Sequence, residues 1–224
     1  DDVAFGPENL AIAHDDIDMR IAMSLDAVDM SGQREADPTR MSGGQQQRVA
    51  IAGMLAMNPE ILVLDEPTAM LDPQGRADIM HILDELQQHG TTIILVTHHR
   101  DEFVNADRII RLDNGRIVQS ARGNTASIPE MDESGTAQED NPIAKSNIAN
   151  GASKPTSAVP IIEIHNLIYQ YPNSSKPVLD KLSITINEGE TVAITGHNGA
   201  GKTTLARLLC ALDQTQSGSN TAIS

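Results

Sequence analysis

Nine consecutive residues, Gly196-His197-Asn198-Gly199-Ala200-Gly201-Lys202-Thr203-Thr204, carry the densest chemical signal in the chain. They read G-x-x-x-x-G-K-T, the spacing of a loop that wraps around phosphate. Glycines lack the Cβ that would block the turn, so backbone N–H groups can curl around phosphate oxygens. The Lys202 ammonium would reach the outer phosphates, and the Thr203 hydroxyl would hold Mg²⁺. Such a loop needs a strand before it and a helix after it. Apolar Thr191-Val192-Ala193-Ile194-Thr195 reads as the buried strand. Leu205, Leu208, Leu209 and Leu212 recur at helical spacing and predict a helix opening at about Lys202. Its N-terminus adds unpaired donors and a partial positive charge.

Other polar residues of interest lie far upstream, each at the end of a predictable element. Ser42 is a natural N-cap for a helix over Gln45 to Met57 that stops near Asn58-Pro59. With Gly43 and Gly44 it forms a helix N-terminus suited to an anion. Ile61-Leu62-Val63-Leu64 is an apolar strand running into two carboxylates, Asp65 and Glu66. Gln74 to Gln88 reads as a helix with Ile79, Ile82, Leu83 and Leu86 on one face, ended by Gly90. Thr92 to Val96 is a further buried strand, followed by Thr97-His98-His99.

The remaining elements frame these. Phe5-Gly6-Pro7-Glu8-Asn9 looks like a turn into a short helical segment. Ile17, Ile21, Leu25 and Val28 predict an amphipathic helix, with Met19 and Met23 expected to widen its core stripe. Ile109 to Val118 reads as a hairpin turning at Asp113-Asn114-Gly115. Beyond it, residues 121–159 are rich in Ser, Asn, Ala, Gly, Pro and acids, and read as a disordered linker. Ile161 to Ile164 starts a new unit, in which Val178-Leu179 and Leu182 to Ile186 read as strands around a turn.

Several of these stretches resemble the motifs of ATP-binding-cassette (ABC) ATPases. Met41-Ser42-Gly43-Gly44-Gln45 resembles the family signature, usually LSGGQ, with Met41 in place of Leu. The resemblance implies that Ser42 and the Gly44 N–H bind the γ-phosphate of an ATP held by an opposing subunit, with Gly43 and Gln45 also among the nucleotide-binding residues. The strand ending in Asp65-Glu66 resembles Walker B: Asp65 would hold Mg²⁺ through water, and Glu66 would act as general base on the attacking water. Thr68 to Pro73 resembles the D-loop, whose Asp72 would lie at a dimer interface. His98 resembles the switch histidine that contacts the γ-phosphate, and Tyr171-Pro172 resembles the A-loop, whose aromatic stacks on adenine. The implied fold class is α/β: a P-loop NTPase with a central, mostly parallel sheet, flanking helices and a helical signature subdomain. The implied cofactors are ATP and Mg²⁺.

The motif order is permuted for one cassette. In the family the phosphate loop comes first, then a Q-loop, signature, Walker B, D-loop and histidine. Here the later motifs come first, and a Q-loop is missing from both parts. The expected organisation is therefore a piece of a tandem protein: residues 1–120 as the later part of one cassette, 121–159 as linker, and 160–224 as the opening of a second. An opening at Asp1 without Met agrees with a piece of a longer chain. A further expectation is that residues 160–212 fill the slot left in the first sheet, with the phosphate-loop strand beside the Asp65 strand.

Asp-Asp-Val-Ala-Phe-Gly-Pro-Glu-Asn-Leu at residues 1–10, Leu-Asp-Glu-Pro-Thr-Ala-Met-Leu-Asp-Pro at 64–73 and Val-Thr-His-His at 96–99 resemble the ATPases of energy-coupling-factor importers for cobalt, nickel and vitamins. That resemblance implies integral-membrane partner subunits, a second cassette and a peripheral position on the cytoplasmic face of the cell membrane. The competing function class is a tandem ABC-F-type switch that acts without transport. ABC-F proteins usually read E-P-T-N-H-L-D and S-H-D-R, which this chain does not. A net charge of −15 also argues against nucleic acid as a partner. No run of 18 apolar residues is present, so no spanning helix is expected. The lone Cys210 is expected as a packed thiol on the apolar side of the phosphate-loop helix.

Overall fold

The computed structural model describes residues 2–122, 159–172, 174–211 and 221–223. Two sheets and five helices make up these residues. In chain order the helices are α1 (Phe5–Asn9), α2 (His14–Ala27), α3 (Gly43–Leu55), α4 (Pro73–Gln88) and α5 (Lys202–Leu209). The strands are β1 (Ile61–Asp65), β2 (Thr92–Val96), β3 (Arg108–Asp113), β4 (Arg116–Arg122), β5 (Pro160–Tyr169), β6 (Leu179–Asn187), β7 (Thr191–Thr195) and β8 (Thr221–Ile223).

The main sheet has the order β1-β2-β7-β3-β4, with β1, β2, β7 and β3 parallel and β4 antiparallel at the edge. Strand β7, carried by the second half of the chain, thus pairs on both edges with strands of the first half. The expected neighbour is corrected here: β7 lies beside β2, not beside the Asp65 strand β1. The reason is pairing capacity. Strand β2 is buried at every position and offers a free edge to β7 once β1 occupies the other. Strands β6-β5-β8 form a second, antiparallel sheet.

Alternation along β2 sorts the core into two layers. Ile93 and Leu95 join Leu62 and Leu64 of β1 under helices α2, α3 and α4, with Ile51 and Ile79 fully buried. Ile94 and Val96 face the other way, packing with Val192 and Ile194 of β7, Leu205 of α5 and the inner face of β5 and β6. The second sheet and α5 therefore cover one face of the main sheet, and the early helices cover the other.

Polar contacts stitch the halves together. Arg108 of β3 pairs with Glu190 at 2.9 Å, and Glu190 also accepts the Asn187 N–H at 2.9 Å. Asp107 accepts the Thr191 N–H at 2.8 Å, and the Gly189 N–H donates to Thr92 Oγ1 at 2.9 Å. Arg116 at the start of β4 pairs with Asp180 of β6.

Several local expectations change. Residues 178–186 do not form two strands around a turn. Strand β6 is continuous, and its pairing with β5 shifts register between Leu167 and Tyr169. Met19 and Met23 are exposed rather than packed, because α2 buries only Ile17, Ser24 and Leu25. Cys210 is exposed too: α5 ends at Leu209, so the cysteine leaves the helix as its C-cap. Partial desolvation of its sulfur still pushes the thiol pKa up. Of the expected linker, residues 121 and 122 belong to β4, residue 159 is described, and 123–158 lie outside the described residues, as does Leu212.

Candidate nucleotide site

Parallel pairing sets the functional residues level with one another. Asp65 pairs with Val96, and Val96 pairs with Ile194. With strands roughly 4.8 Å apart, the ends of β1 and β7 lie about 10 Å from each other on the same sheet edge. Asp65-Glu66, His98 and the phosphate loop all leave the sheet at that edge. Ligands of open parallel sheets bind outside the carboxyl ends of the strands.

The loop after β7 has the backbone that its glycines permit. Gly196 has φ +149, and a Cβ there would overlap the Leu112 carbonyl oxygen. Helix α5 opens at Lys202 as expected, and no side chain caps its first N–H groups. Lys202 is 7% exposed, and its Nζ donates to the Gly196 carbonyl at 2.9 Å and the His197 carbonyl at 3.2 Å. The ammonium thus closes its own loop through these two carbonyls. Asn198, Gly199 and Thr203 are exposed, and nothing lies within 4 Å of a Cβ built on Gly199. Ala200 and Gly201 are buried beneath the loop. The β3–β4 hairpin braces it: the Gly115 N–H donates to the Ala200 carbonyl at 3.0 Å, and His197 Nε2 lies 2.7 Å from Asp113 Oδ1.

Glu66 has φ +49, a left-handed backbone that non-glycine residues rarely adopt. Its N–H bonds the Val96 carbonyl at 2.9 Å, and Oε1 lies 3.0 Å from His98 Nδ1. The two strand ends are therefore joined through the two side chains proposed to do the chemistry. A left-handed backbone beside an acid–imidazole pair makes this strand end a candidate site. Asp65 is exposed at the end of β1. Tyr171 is 37% exposed, with its hydroxyl 3.2 Å from Thr204 Oγ1 on α5 and its ring edge-on to Tyr169 at 5.1 Å.

The donor set fits a magnesium–triphosphate group: N–H donors and an ammonium for phosphate, with a hydroxyl and a nearby carboxylate for the ion. Among the described residues no cluster of three His, Cys, Asp or Glu could hold a metal by itself.

The signature residues gather elsewhere. Ser42 and Gln45 form a complete capping box: Ser42 Oγ accepts the Gln45 N–H at 3.3 Å, and Gln45 Oε1 accepts the Ser42 N–H at 3.0 Å. Replacing Ser42 with Ala removes one of these bonds and should cost about 1 kcal/mol of stability. A denaturant midpoint that does not move would show the cap to be idle. Asp72 caps α4 through the Gly75 N–H at 2.8 Å. Ser42, Gly43, Gly44, Leu71 and Asp72 line one groove together with Met70, which is 94% exposed, and no phosphate-loop residue lines it. The fold thus separates two half-sites, one holding Lys202, Glu66 and His98 and the other holding Ser42 and Asp72.

Sequence reasoning placed Asp113 in a hairpin turn but missed its contact with His197 of the phosphate loop, and it missed Glu102, which reads as one more surface charge. Glu102 is 2% exposed and accepts hydroxyl hydrogen bonds from Thr68 and Thr97. The available signal was the threonine beside each motif, two residues after Glu66 and one before His98.

Comparison with known proteins agrees with this geometry. The family model described as ABC transporter matches residues 6–69 and 179–222, which include Ser42 to Gln45, Asp65, Glu66 and the phosphate loop but not Asp72, His98 or Tyr171. A provisionally named ABC transporter ATP-binding protein of Bifidobacterium longum is 48% identical over 98% of this chain and 31% of its own length. An energy-coupling factor transporter ATP-binding protein of Clostridium novyi is 54% identical over 53% of this chain and 42% of its own length. The solved structure of cbiO1 from Clostridium perfringens, part of the ABC transporter complex cbiONQ, superposes with a TM-score of 0.51 at 38% identity. The match covers 54% of this chain and 49% of that one. The chain thus spans between about a third and a half of these relatives. Sequence match, sheet order and the phosphate loop at the strand ends lead to one conclusion: the chain belongs to the family of ABC transporter ATP-binding proteins.

Proposed function

We propose that this chain is the nucleotide-binding part of an ABC importer motor of the energy-coupling-factor type, working by ATP binding and hydrolysis. The observation that carries the reading is the convergence, on one sheet edge, of the buried Lys202 loop with the Glu66–His98 pair. Bound Mg-ATP supplies the scissile γ-phosphate, with the ion neutralising charge on its oxygens. Lys202 and the loop N–H groups, from Gly196 to Thr204, hold the phosphates, and Tyr171 stacks on the adenine. Thr203 and Asp65 orient the ion, the latter through water. Glu66 takes a proton from the attacking water, and His98 holds both Glu66 and the γ-phosphate in line.

The half-site of Ser42, Gly43, Gly44, Gln45 and Asp72 then faces the nucleotide of an opposing cassette. A helix N-terminus with a hydroxyl and two glycines suits that anion. The opposing cassette is proposed to come from the tandem arrangement, residues 1–120 and 160–224 deriving from successive cassettes. The names of the similar proteins and the colinear match to the Bifidobacterium longum relative support this reading. The membrane partner is proposed to dock near α1, where Phe5 is 70% and Leu10 58% exposed. Among the described residues no helix is long and apolar enough to cross a membrane. By likeness to the energy-coupling factor transporter ATP-binding relatives, the proposed place is peripheral, on the cytoplasmic face, with the membrane subunits selecting the vitamin or metal ion carried.

Equilibrium binding of Mg-ATP tests the reading. Removing the Lys202 ammonium deletes a charged hydrogen bond worth about 1.5–3 kcal/mol. Lys202→Ala should therefore bind roughly 10- to 100-fold more weakly. Equal affinity of the variant and the wild type would sink the assignment of this loop as the nucleotide site.

A further inference from the structure

Glu102 sits on the short 3-10 turn Arg100–Phe103, four residues beyond His98, and is 2% exposed. A buried carboxylate is costly unless its oxygens find donors. Here each oxygen has its own: the Thr68 hydroxyl donates to Oε1, and the Thr97 hydroxyl donates to Oε2. Neither threonine has any exposed surface. Arg76 Nε, buried and without a hydrogen-bond partner, lies 3.8 Å from the same Oε1.

The three partners come from three segments, and each adjoins a residue of the proposed site. Thr68 follows Glu66 by two residues. Thr97 directly precedes His98, and its hydroxyl also accepts the His99 N–H at 3.0 Å. Arg76 lies in the first turn of α4, where its own N–H bonds the Asp72 carbonyl at 3.0 Å. Packing alone is a weak account of this arrangement, since an apolar side chain of similar volume would fill the space without desolvating a charge. What the carboxylate adds is direction: two fixed acceptors hold the ends of β1 and β2 in one register.

We propose that Glu102 is a positioning residue that locks the Glu66 loop, His98 and the start of α4 together, so that Glu66 and His98 keep their 3.0 Å pairing. A displacement of the Asp72 end of α4 moves the Arg76 guanidinium that faces Glu102. The same carboxylate thereby links the proposed interface loop to the proposed base. The inference rests on the reading of Glu66 as that base.

The test uses Thr97→Val and Thr68→Val, which keep side-chain volume and remove one hydroxyl each, with Thr97→Ser as the conservative rescue. Glu102→Gln is made alongside, because Glu102→Ala risks not folding. Two readouts are taken on the full chain. One is Mg-ATP turnover with the Kd for ATP. The other is the imidazole carbon–proton resonance of His98 in histidine-labelled protein, assigned by its loss in His98→Ala. The expected result is at least a tenfold lower kcat in Thr97→Val and Thr68→Val, ATP affinity within about twofold, and a His98 resonance moved away from its wild-type position. Thr97→Ser should restore both. A lower melting temperature with unchanged kcat and an unmoved His98 resonance would reduce Glu102 to a structural role and overturn the proposal. If the wild type does not turn over ATP, the hydrolytic reading fails by itself, and the resonance decides alone: movement upholds the positioning role and no movement refutes it.

Discussion

Glu66→Gln is expected to bind Mg-ATP as the wild type does and to turn it over about 10²- to 10⁴-fold more slowly, the usual contribution of a positioned general base. The substitution nearly preserves shape. The Glu66 backbone, held at φ +49 by its N–H bond to the Val96 carbonyl, does not depend on the carboxylate. Its Oε1 partner, His98 Nδ1 at 3.0 Å, can still donate to an amide oxygen. What disappears is the ability to take a proton from water. A loss of kcat with affinity intact therefore isolates the chemical step. Measuring turnover at saturating Mg-ATP beside equilibrium binding gives the answer directly. An unchanged kcat removes Glu66 from the chemistry. A parallel loss of affinity would point instead to collapse of the β1–β2 edge.

The second large effect concerns the fold. If a protease site is placed within residues 135–145 and cut, the two pieces should stay together and co-elute until denaturant is added. Strand β7 is hydrogen-bonded on both edges, to β2 and to β3, and Val192, Ala193 and Ile194 are fully buried. Full burial of a Val or Ile side chain contributes about 1.5–3 kcal/mol each. The Arg108–Glu190 pair and the Asp107–Thr191 bond add orientation to that burial. Ile194→Asp would place an unpaired charge among Ile94, Val96 and Ile110, which should cost more than about 4 kcal/mol and release the pieces after cutting. Native size-exclusion chromatography of the cut protein, with and without this substitution, checks both statements. Separation of the unsubstituted pieces under native conditions would mean that the second half does not occupy this slot.

The Gly115 turn shows how local and distant causes combine. Asn114 and Gly115 both have positive φ, as a tight hairpin with strand-matching twist requires, and the dipeptide announces this in the sequence. The sequence does not announce that a Cβ on Gly115 would overlap the Val178 carbonyl, or that its N–H would brace the phosphate loop through Ala200. The first property belongs to four adjacent residues. The second needs three segments to meet.

The same division runs through the whole protein. The amino-acid sequence by itself determined the strand–loop–helix unit around Lys202, the Ser42 cap, the strand ending in Asp65-Glu66 and the hairpin, because each depends on side-chain spacing and backbone preference within a dozen residues. It also determined the family, through motifs whose chemistry demands those residue types. Only the tertiary structure decided that β7 lies beside β2, since strand order follows from which buried edges remain free. Only the structure turned Glu102 from a surface charge into the buried acceptor of Thr68 and Thr97. Met19, Met23 and Cys210 make the converse point: their local pattern suited a core, and none of the described elements covers them. Hydrophobic periodicity says which face can be buried, and packing between distant segments settles which part of that face is.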